Sequence, residues 1–231
     1  MTFTPPDHDC PLCPRLAAFR DDNRRRFPDK HNAPVPSFGD LNARLLIVGL
    51  APGLKGANFS GRPFTGDYAG VLLYSSLIKF GFATGVYGAH KNDGLALVNC
   101  RITNAVRCVP PENKPTPPEN KQCLSFLTRE IAAMPNLKVV LALGSIAHNA
   151  VLKATGQKAS AFKFAHGAVH HLPSPRRKPG SSSIRAQDPG LRRDDGLVLI
   201  DSYHCSRYNT QTKRLTEPMF HQVFEQIAGL V

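Results

Sequence analysis

No apolar run in the 231-residue chain approaches the ~20 residues a helix needs to cross a bilayer, so no membrane span is expected. The opening Met1-Thr2-Phe3-Thr4-Pro5-Pro6-Asp7-His8 lacks the basic start and apolar stretch of a secretory signal. A cytoplasmic, reducing location is the expectation that follows, and there six cysteines more often hold metal or do redox chemistry than pair as disulfides. Acidic side chains are scarce: 17 Asp and Glu stand against 29 Lys and Arg, for a formal charge of +12. Such an excess points to a polyanionic partner. Two nucleotide signatures are missing. After Gly53 the residues Leu54-Lys55-Gly56 have the wrong spacing for a phosphate loop, and no G-x-G-x-x-G occurs. A small iron–sulfur redox protein therefore has no flavin or nucleotide loop to support it.

The chain has an ordinary globular balance, 42% hydrophobic and 20% charged, and length for one domain spanning 1–231. Four runs read as buried strands: 44–49, 97–102, 138–144 and 197–202. They are continuously apolar rather than alternating, as strands covered on both faces are. Helical patterns lie between and after them, at 68–80, 116–134, 145–155 and 216–230. Thr116-Pro117-Pro118-Glu119 has the form of a capping box with proline in the first turn. Strands alternating with helices predict an α/β fold, a three-layer α/β/α sandwich around a mainly parallel four-stranded sheet. Ligands of such sheets sit at the carboxyl ends of the strands. One stretch, 174–195, is rich in Pro, Gly, Ser and Arg without apolar periodicity. It reads as a disordered or surface insert.

Cys10-Pro11-Leu12-Cys13 can present two thiolates to one metal from a single turn. Cys108 and Cys123, with fourteen residues between them, form a second pair that folding must bring in. Four thiolates suit zinc or a [4Fe–4S] cluster. The wide second spacing leans toward the cluster, because zinc sites usually show two short knuckles. Cys100 lies in an apolar strand and reads as core. Around the cysteines, Arg15, Arg20, Arg24, Arg25, Arg26, Arg101 and Arg107 are candidate phosphate contacts.

The loop after the first strand runs Gly49-Leu50-Ala51-Pro52-Gly53 and leads to Gly61-Arg62-Pro63-Phe64-Thr65-Gly66-Asp67. Small residues let the backbone approach a ligand closely. An aromatic and a carboxylate at the mouth of a parallel sheet make a plausible base pocket, and a tight turn in which Asp67 caps the next helix is the plainer reading. His166, beside Gly167, is a second pocket candidate that reads more readily as structural. His148 reads as a partly exposed helix residue.

These motifs, with Thr103-Asn104-Ala105-Val106-Arg107-Cys108-Val109-Pro110-Pro111 and Ser202-Tyr203-His204-Cys205-Ser206, resemble family 5 (type b) uracil-DNA glycosylases of the uracil-DNA glycosylase superfamily. The likeness covers nearly the whole chain outside 174–195. It implies an α/β/α sandwich, a [4Fe–4S] cluster on Cys10, Cys13, Cys108 and Cys123, and monofunctional base excision without a lyase step. Gly49, Leu50 and Ala51 match the family's water-and-pocket loop, Phe64 the base-stacking aromatic, Asn104 the base-edge reader and His204 the histidine of the second catalytic motif. The first motif is apolar here, and Asp67 matches the carboxylate that substitutes for the missing Asp or Asn. Relatives with this apolar motif tend to accept a wider set of deaminated or damaged bases. His204-Cys205-Ser206 departs from the usual His-Pro-Ser, which makes Cys205 a candidate DNA contact. The following Arg207, Tyr208 and Asn209 carry chemistry suited to DNA, with the tyrosine able to fill a vacated stack. Asp67 and His204 are thus the expected catalytic pair on double-stranded DNA, with the chain acting as a monomer. The alternative is a non-catalytic, metal-containing nucleic-acid-binding module, which would leave Phe64, Asp67, Asn104 and His204 unexplained.

Overall fold

A computed structural model describes residues 3–173 and 196–231; the predicted insert at 174–195 lies outside the described residues. In chain order the elements are α1 (Pro14–Arg26), β1 (Leu45–Gly49), α2 (Ala57–Ser60), α3 (Tyr68–Lys79), β2 (Ala83–Thr84), β3 (Ala96–Leu97), β4 (Cys100–Asn104), α4 (Pro117–Ala133), β5 (Val139–Leu143), α5 (Ser145–Ala154), β6 (Val169–Leu172), β7 (Leu197–Ser202), α6 (Arg207–Gln211) and α7 (Glu217–Ala228).

The central sheet has the order β4-β1-β5-β7-β6, and β2 and β3 form a separate hairpin. β4, β1, β5 and β7 are mutually parallel, while β6 pairs antiparallel with β7. Among the described residues the sheet therefore has five strands, not the four expected. The missed strand, Val169-His170-His171-Leu172, is an edge strand with two histidines and little burial, so it lacks the continuous apolar signal of the other four. The second predicted run is displaced toward its C-terminus. Leu97 belongs to the hairpin, and Asn99 (φ +50°) breaks the chain before β4 begins at Cys100.

Alternate residues of each strand feed two apolar cores, which is why the strands read as unbroken hydrophobic runs. Leu45, Ile47, Ile102, Leu141 and Ile200 pack with Leu73 and Leu77 of α3 and Phe220 and Phe224 of α7. Leu46, Val48, Val140, Ala142 and Leu199 pack on the other face with Leu127 and Ile131 of α4 and Val151 and Leu152 of α5. This is the three-layer arrangement expected. α4 begins with a complete capping box: Glu119 N–H donates to Thr116 Oγ1 and Thr116 N–H to Glu119 Oε2. A third, smaller cluster gathers Leu16, Val106, Cys123 and Phe126 with Cys10, Cys13, Cys108 and Ala51. No described helix is long and apolar enough to cross a membrane.

Candidate active site and cysteine pocket

Parallel pairing puts Gly49 directly beside Asn104, so the carboxyl ends of β1 and β4 are level. Asn104 is buried, and so is Phe64. A Cβ on Gly49 would overlap both Asn104 Oδ1 and the Phe64 ring, so only glycine lets the amide and the ring meet across this strand end. The loop beyond Gly49 stays fastened to β4's extension: Ala105 N–H donates to the Gly49 carbonyl (2.9 Å) and Val106 N–H to that of Leu50 (3.0 Å). Ala51 continues into the cysteine cluster.

Phe64 has φ +54°, a left-handed conformation that a residue with a Cβ adopts only under constraint. The constraints are visible. Tyr74 Oη donates to the Pro63 carbonyl (2.6 Å) and Tyr87 Oη to that of Phe64 (3.1 Å), while Gly66 N–H donates to Tyr87 Oη (3.3 Å). Arg62 forms a bidentate pair with Asp93 (2.8 and 2.7 Å) and donates through Nε to Thr65 Oγ1 (2.7 Å). Its guanidinium also lies within 6 Å of the Phe38, Tyr74 and Tyr87 rings. The Arg62 charge holds the Asp93 carboxyl well below the usual range. Sequence reasoning missed Asp93 and Tyr87, whose role depends on contacts 21 to 31 positions away; Arg62 lay inside a noted motif, but its partners were not readable.

Asp67 occupies the N-cap position of α3 yet makes no capping bond. Its carboxylate turns to the preceding loop and accepts from Ala57 N–H (3.3 Å). Gly53 and Gly56 make room for it: a Cβ on Gly53 would stand 2.6 Å from Oδ1, and one on Gly56 would overlap the carboxylate. Burial raises the Asp67 pKa above the usual carboxylate value.

His204 arrives from β7. Gly144 N–H donates to the Ser202 carbonyl (2.8 Å), and Asn209 Nδ2 donates to the His204 carbonyl (2.8 Å). The His204 ring lies 5.9 Å from the Phe64 ring, tilted by 31°. Burial pushes its pKa down to about 4, so the imidazole is neutral near pH 7. Phe64 is thus the common neighbour of Asn104 and His204, with Asp67 three residues along the same loop. His166 fastens this segment from outside: its Nδ1 accepts from Tyr203 N–H (3.2 Å), and its ring stacks on Tyr203 at 5.0 Å.

The predicted polar loop after His204 contains α6, capped by Ser206, which accepts from Asn209 N–H (3.4 Å). Tyr208 is 70% exposed, and the exposed Arg207 lies over the Tyr68 ring at 5.2 Å. Asn209 is half-buried and engaged by the His204 carbonyl. Three expectations need correction. Cys205 is fully buried, with its thiol pushed up to about 12, so it offers no surface to DNA. His148 is not a partly exposed helix residue: it is buried against Asp201. Arg20, Arg101 and Arg107 are buried too, the last two in ion pairs with the fully buried Glu130. They are structural rather than phosphate contacts. Arg15 pairs with Glu119 through two bonds of 2.8 Å.

Cys10, Cys13, Cys108 and Cys123 line a single pocket with Leu16 and Phe126. Burial and neighbouring thiols push Cys13 up to about 11 and Cys108 to about 12, so both are thiols at neutral pH. Arg107 lines the same pocket, and its Nε is buried without a partner among the described residues. Arg20 donates to the Cys10 carbonyl (2.9 Å), and its Nε lies 3.6 Å from Asp21 Oδ1.

A model of the uracil-DNA glycosylase superfamily matches residues 36–228. The chain belongs to that superfamily. Among curated relatives, a Type-5 uracil-DNA glycosylase of Thermus thermophilus is 41% identical over 229 residues, covering 96% of this chain and 94% of the relative. Type-5 uracil-DNA glycosylases of Pyrobaculum aerophilum and Mycobacterium bovis are 36% and 35% identical over 225 and 229 residues, covering 96% of this chain and 88% and 78% of those proteins. The family resemblance read from the separated motifs agrees with these relatives. In this superfamily member the matched span takes in Phe64, Asp67, Asn104 and His204, while Cys10 and Cys13 precede it.

Proposed function

We propose that this protein is a monofunctional DNA glycosylase that excises uracil, and other deaminated or damaged bases, from double-stranded DNA. The observation that carries the reading is Phe64, which meets Asn104 across Gly49 and lies 5.9 Å from the His204 ring, with Asp67 on the same loop, in a chain 41% identical to a Type-5 uracil-DNA glycosylase.

A base cannot be hydrolysed inside the stack and must first be extruded, at a cost of a few kcal/mol that is least for a mispaired base. Tyr208, exposed beside the site, fills the vacated stack, and Arg207 meets the flanking phosphate. The extruded uracil stacks on Phe64. Asn104 presents a carbonyl to N3–H and an amide N–H to O4. Gly49, Leu50 and Ala51 let the backbone close on the base edge. As the glycosidic bond breaks, the pyrimidine leaves as an anion and the sugar becomes oxocarbenium-like. Neutral His204 donates a ring N–H toward O2, where the negative charge gathers. The Asp67 carboxylate sets a negative field beside the sugar and orients the attacking water; its raised pKa makes it a better proton acceptor than an ordinary aspartate.

Cys10, Cys13, Cys108 and Cys123 are assigned a [4Fe–4S] cluster, with zinc the less favoured occupant. The thiol set, the shared pocket and the unpartnered Arg107 Nε fit an anionic thiolate-ligated group. When bound, the cluster supplies cross-linking: it ties the segment before α1 to the start of α4 and backs the Gly49–Ala51 loop.

Single-turnover release of free base tests the reading, using duplexes with uracil opposite guanine, hypoxanthine or ethenocytosine, beside the single strand. Release of base that leaves an intact abasic strand until alkali is added is expected. Tight DNA binding with no base released identifies the nucleic-acid-binding module instead. A parallel iron assay expects four irons per chain, lost in Cys10→Ser; zinc in their place overturns the cluster assignment.

A further inference from the structure

We propose that His148, His170 and Asp201 form a second metal site, for a divalent ion of the zinc class, at the β7–β6 edge of the sheet, opposite the β4 edge that leads to Cys108. The three residues come from α5, β6 and β7, and one ligand atom of each lies within 4.8 Å of the others. Cys10 and Cys13, by contrast, lie at the start of α1, and Cys108 and Cys123 lie after β4 and in α4. The two sites share no element.

The Asp201 side chain is fully buried, and both its oxygens face imidazole nitrogens: Oδ1 lies 2.8 Å from His148 Nδ1 and Oδ2 3.0 Å from His170 Nε2. The other nitrogen of His148, Nε2, lies 3.1 Å from the Phe162 carbonyl. A carbonyl only accepts, so Nε2 carries the proton. In a neutral imidazole that leaves Nδ1 with a lone pair pointed at a carboxylate oxygen, which is repulsive. A cation between them removes the repulsion. The same geometry, one histidine nitrogen toward the metal and the other donating to a backbone carbonyl, is how proteins orient histidine ligands. Ligand atoms about 2.0–2.1 Å from one tetrahedral ion stand about 3.3 Å apart; the contacts at 2.8 and 3.0 Å, made by different Asp201 oxygens, open by a few tenths of an ångström, and ligand atoms as much as 4.8 Å apart close toward that spacing. Two imidazoles and one carboxylate are the donors that zinc-class ions take, with a fourth position left for solvent. His170, the one ligand with residual exposure, marks the side from which that solvent enters. An ion here would pin α5, β6 and the end of β7, three residues before His204.

The test uses the full chain with its iron content assayed, titrated with zinc sulfate. One equivalent is expected to bind and raise the melting temperature. X-ray absorption at the zinc edge should show nitrogen or oxygen neighbours at about 2.0–2.1 Å and no sulfur at about 2.3 Å, which separates this site from the cysteine pocket. His170→Gln keeps a hydrogen-bonding group toward Asp201, so it preserves the fold; it should weaken zinc binding about 100-fold or more and abolish the thermal shift. Undetectable zinc binding by the wild-type chain, sulfur neighbours, or equal affinity in His170→Gln overturns the proposal. The network would then be closed by a second proton on His148.

Discussion

The two walls of the candidate pocket are built differently. The Phe64 wall is over-determined: a buried bidentate ion pair, two tyrosine hydroxyls and three aromatic rings hold one strained residue in place. The His204 wall is held by neutral contacts and without an ion pair among those described: Asn209 fixes its carbonyl, His166 accepts from Tyr203 N–H and stacks on its ring, a single serine caps the short helix behind it, and Arg207 and Tyr208 are exposed. A pocket that must measure a base needs one rigid face. A segment that must enter a duplex and follow it needs the opposite. Under the proposed function the first wall would recognise the base and the second engage DNA, and substitutions in each should separate along that line.

The largest effects should come where the walls meet the reacting bond. His204→Ala and Asp67→Asn are each expected to slow single-turnover uracil release by about 10²–10⁴-fold, because one removes the donor at O2 and the other the carboxylate beside the sugar. Binding to abasic DNA should change little. Wild-type release in Asp67→Asn would remove that residue from the chemistry.

Breaking the rigid wall comes next. Asp93→Ala leaves the buried Arg62 guanidinium without its carboxylate and should cost about 3 kcal/mol of stability in urea melts. Release rate should fall more than duplex affinity. If Asp93→Ala weakens binding to undamaged duplex as much as it slows excision, the division between the walls is wrong. On the His204 wall, Tyr208→Ala should do the reverse. Loss of one stacking ring is worth about 1–3 kcal/mol, read as weaker binding to uracil-containing duplex with stability unchanged. Unchanged binding would take Tyr208 out of the interface.

The same contrast explains what could be read in the residues beforehand. Strands β1, β5 and β7 announce themselves because both faces are apolar, and α4 because its cap is local. Phe64 and Asp67 stand out in the loop that follows β1, whereas Asn104 and His204 are singled out by the family resemblance. What stayed hidden depends on distant partners. His148 looked exposed because its burial requires Asp201, 53 residues later. β6 was silent because an edge strand with two histidines has no apolar run. α1 was also missed: its sequence is mostly charged, and its buried positions are Leu16, Arg20 and Asn23, two of them polar. The phosphate role expected of Arg20, Arg101 and Arg107 failed for a related reason. Charge can be counted in a sequence, but the Glu130 that neutralises two of these arginines is identified only by the fold.

The smallest effect is one of pH on stability. His204 is held near 4 by burial but titrates near 6.5 in the unfolded chain. Between those values the unfolded state binds the proton and the folded state does not. Stability contributed by the neutral ring is therefore complete above about pH 6.5 and is lost as pH falls toward 4. One group gives at most about 1.4 kcal/mol per pH unit, and the partial exposure of His204 reduces that. Asp67 acts in the opposite sense. Its pKa is raised in the folded protein, so acid favours the folded state over the interval between its unfolded and folded values and partly masks the histidine. The difference between wild type and His204→Gln isolates the histidine: urea midpoints should converge as pH drops from 7 to 4. Asp67→Asn should instead steepen the acid loss by removing the opposing carboxyl. Parallel wild-type and His204→Gln curves across that range would mean that the imidazole is hydrated in the free protein and that this wall is looser than its Asn209 and His166 contacts imply.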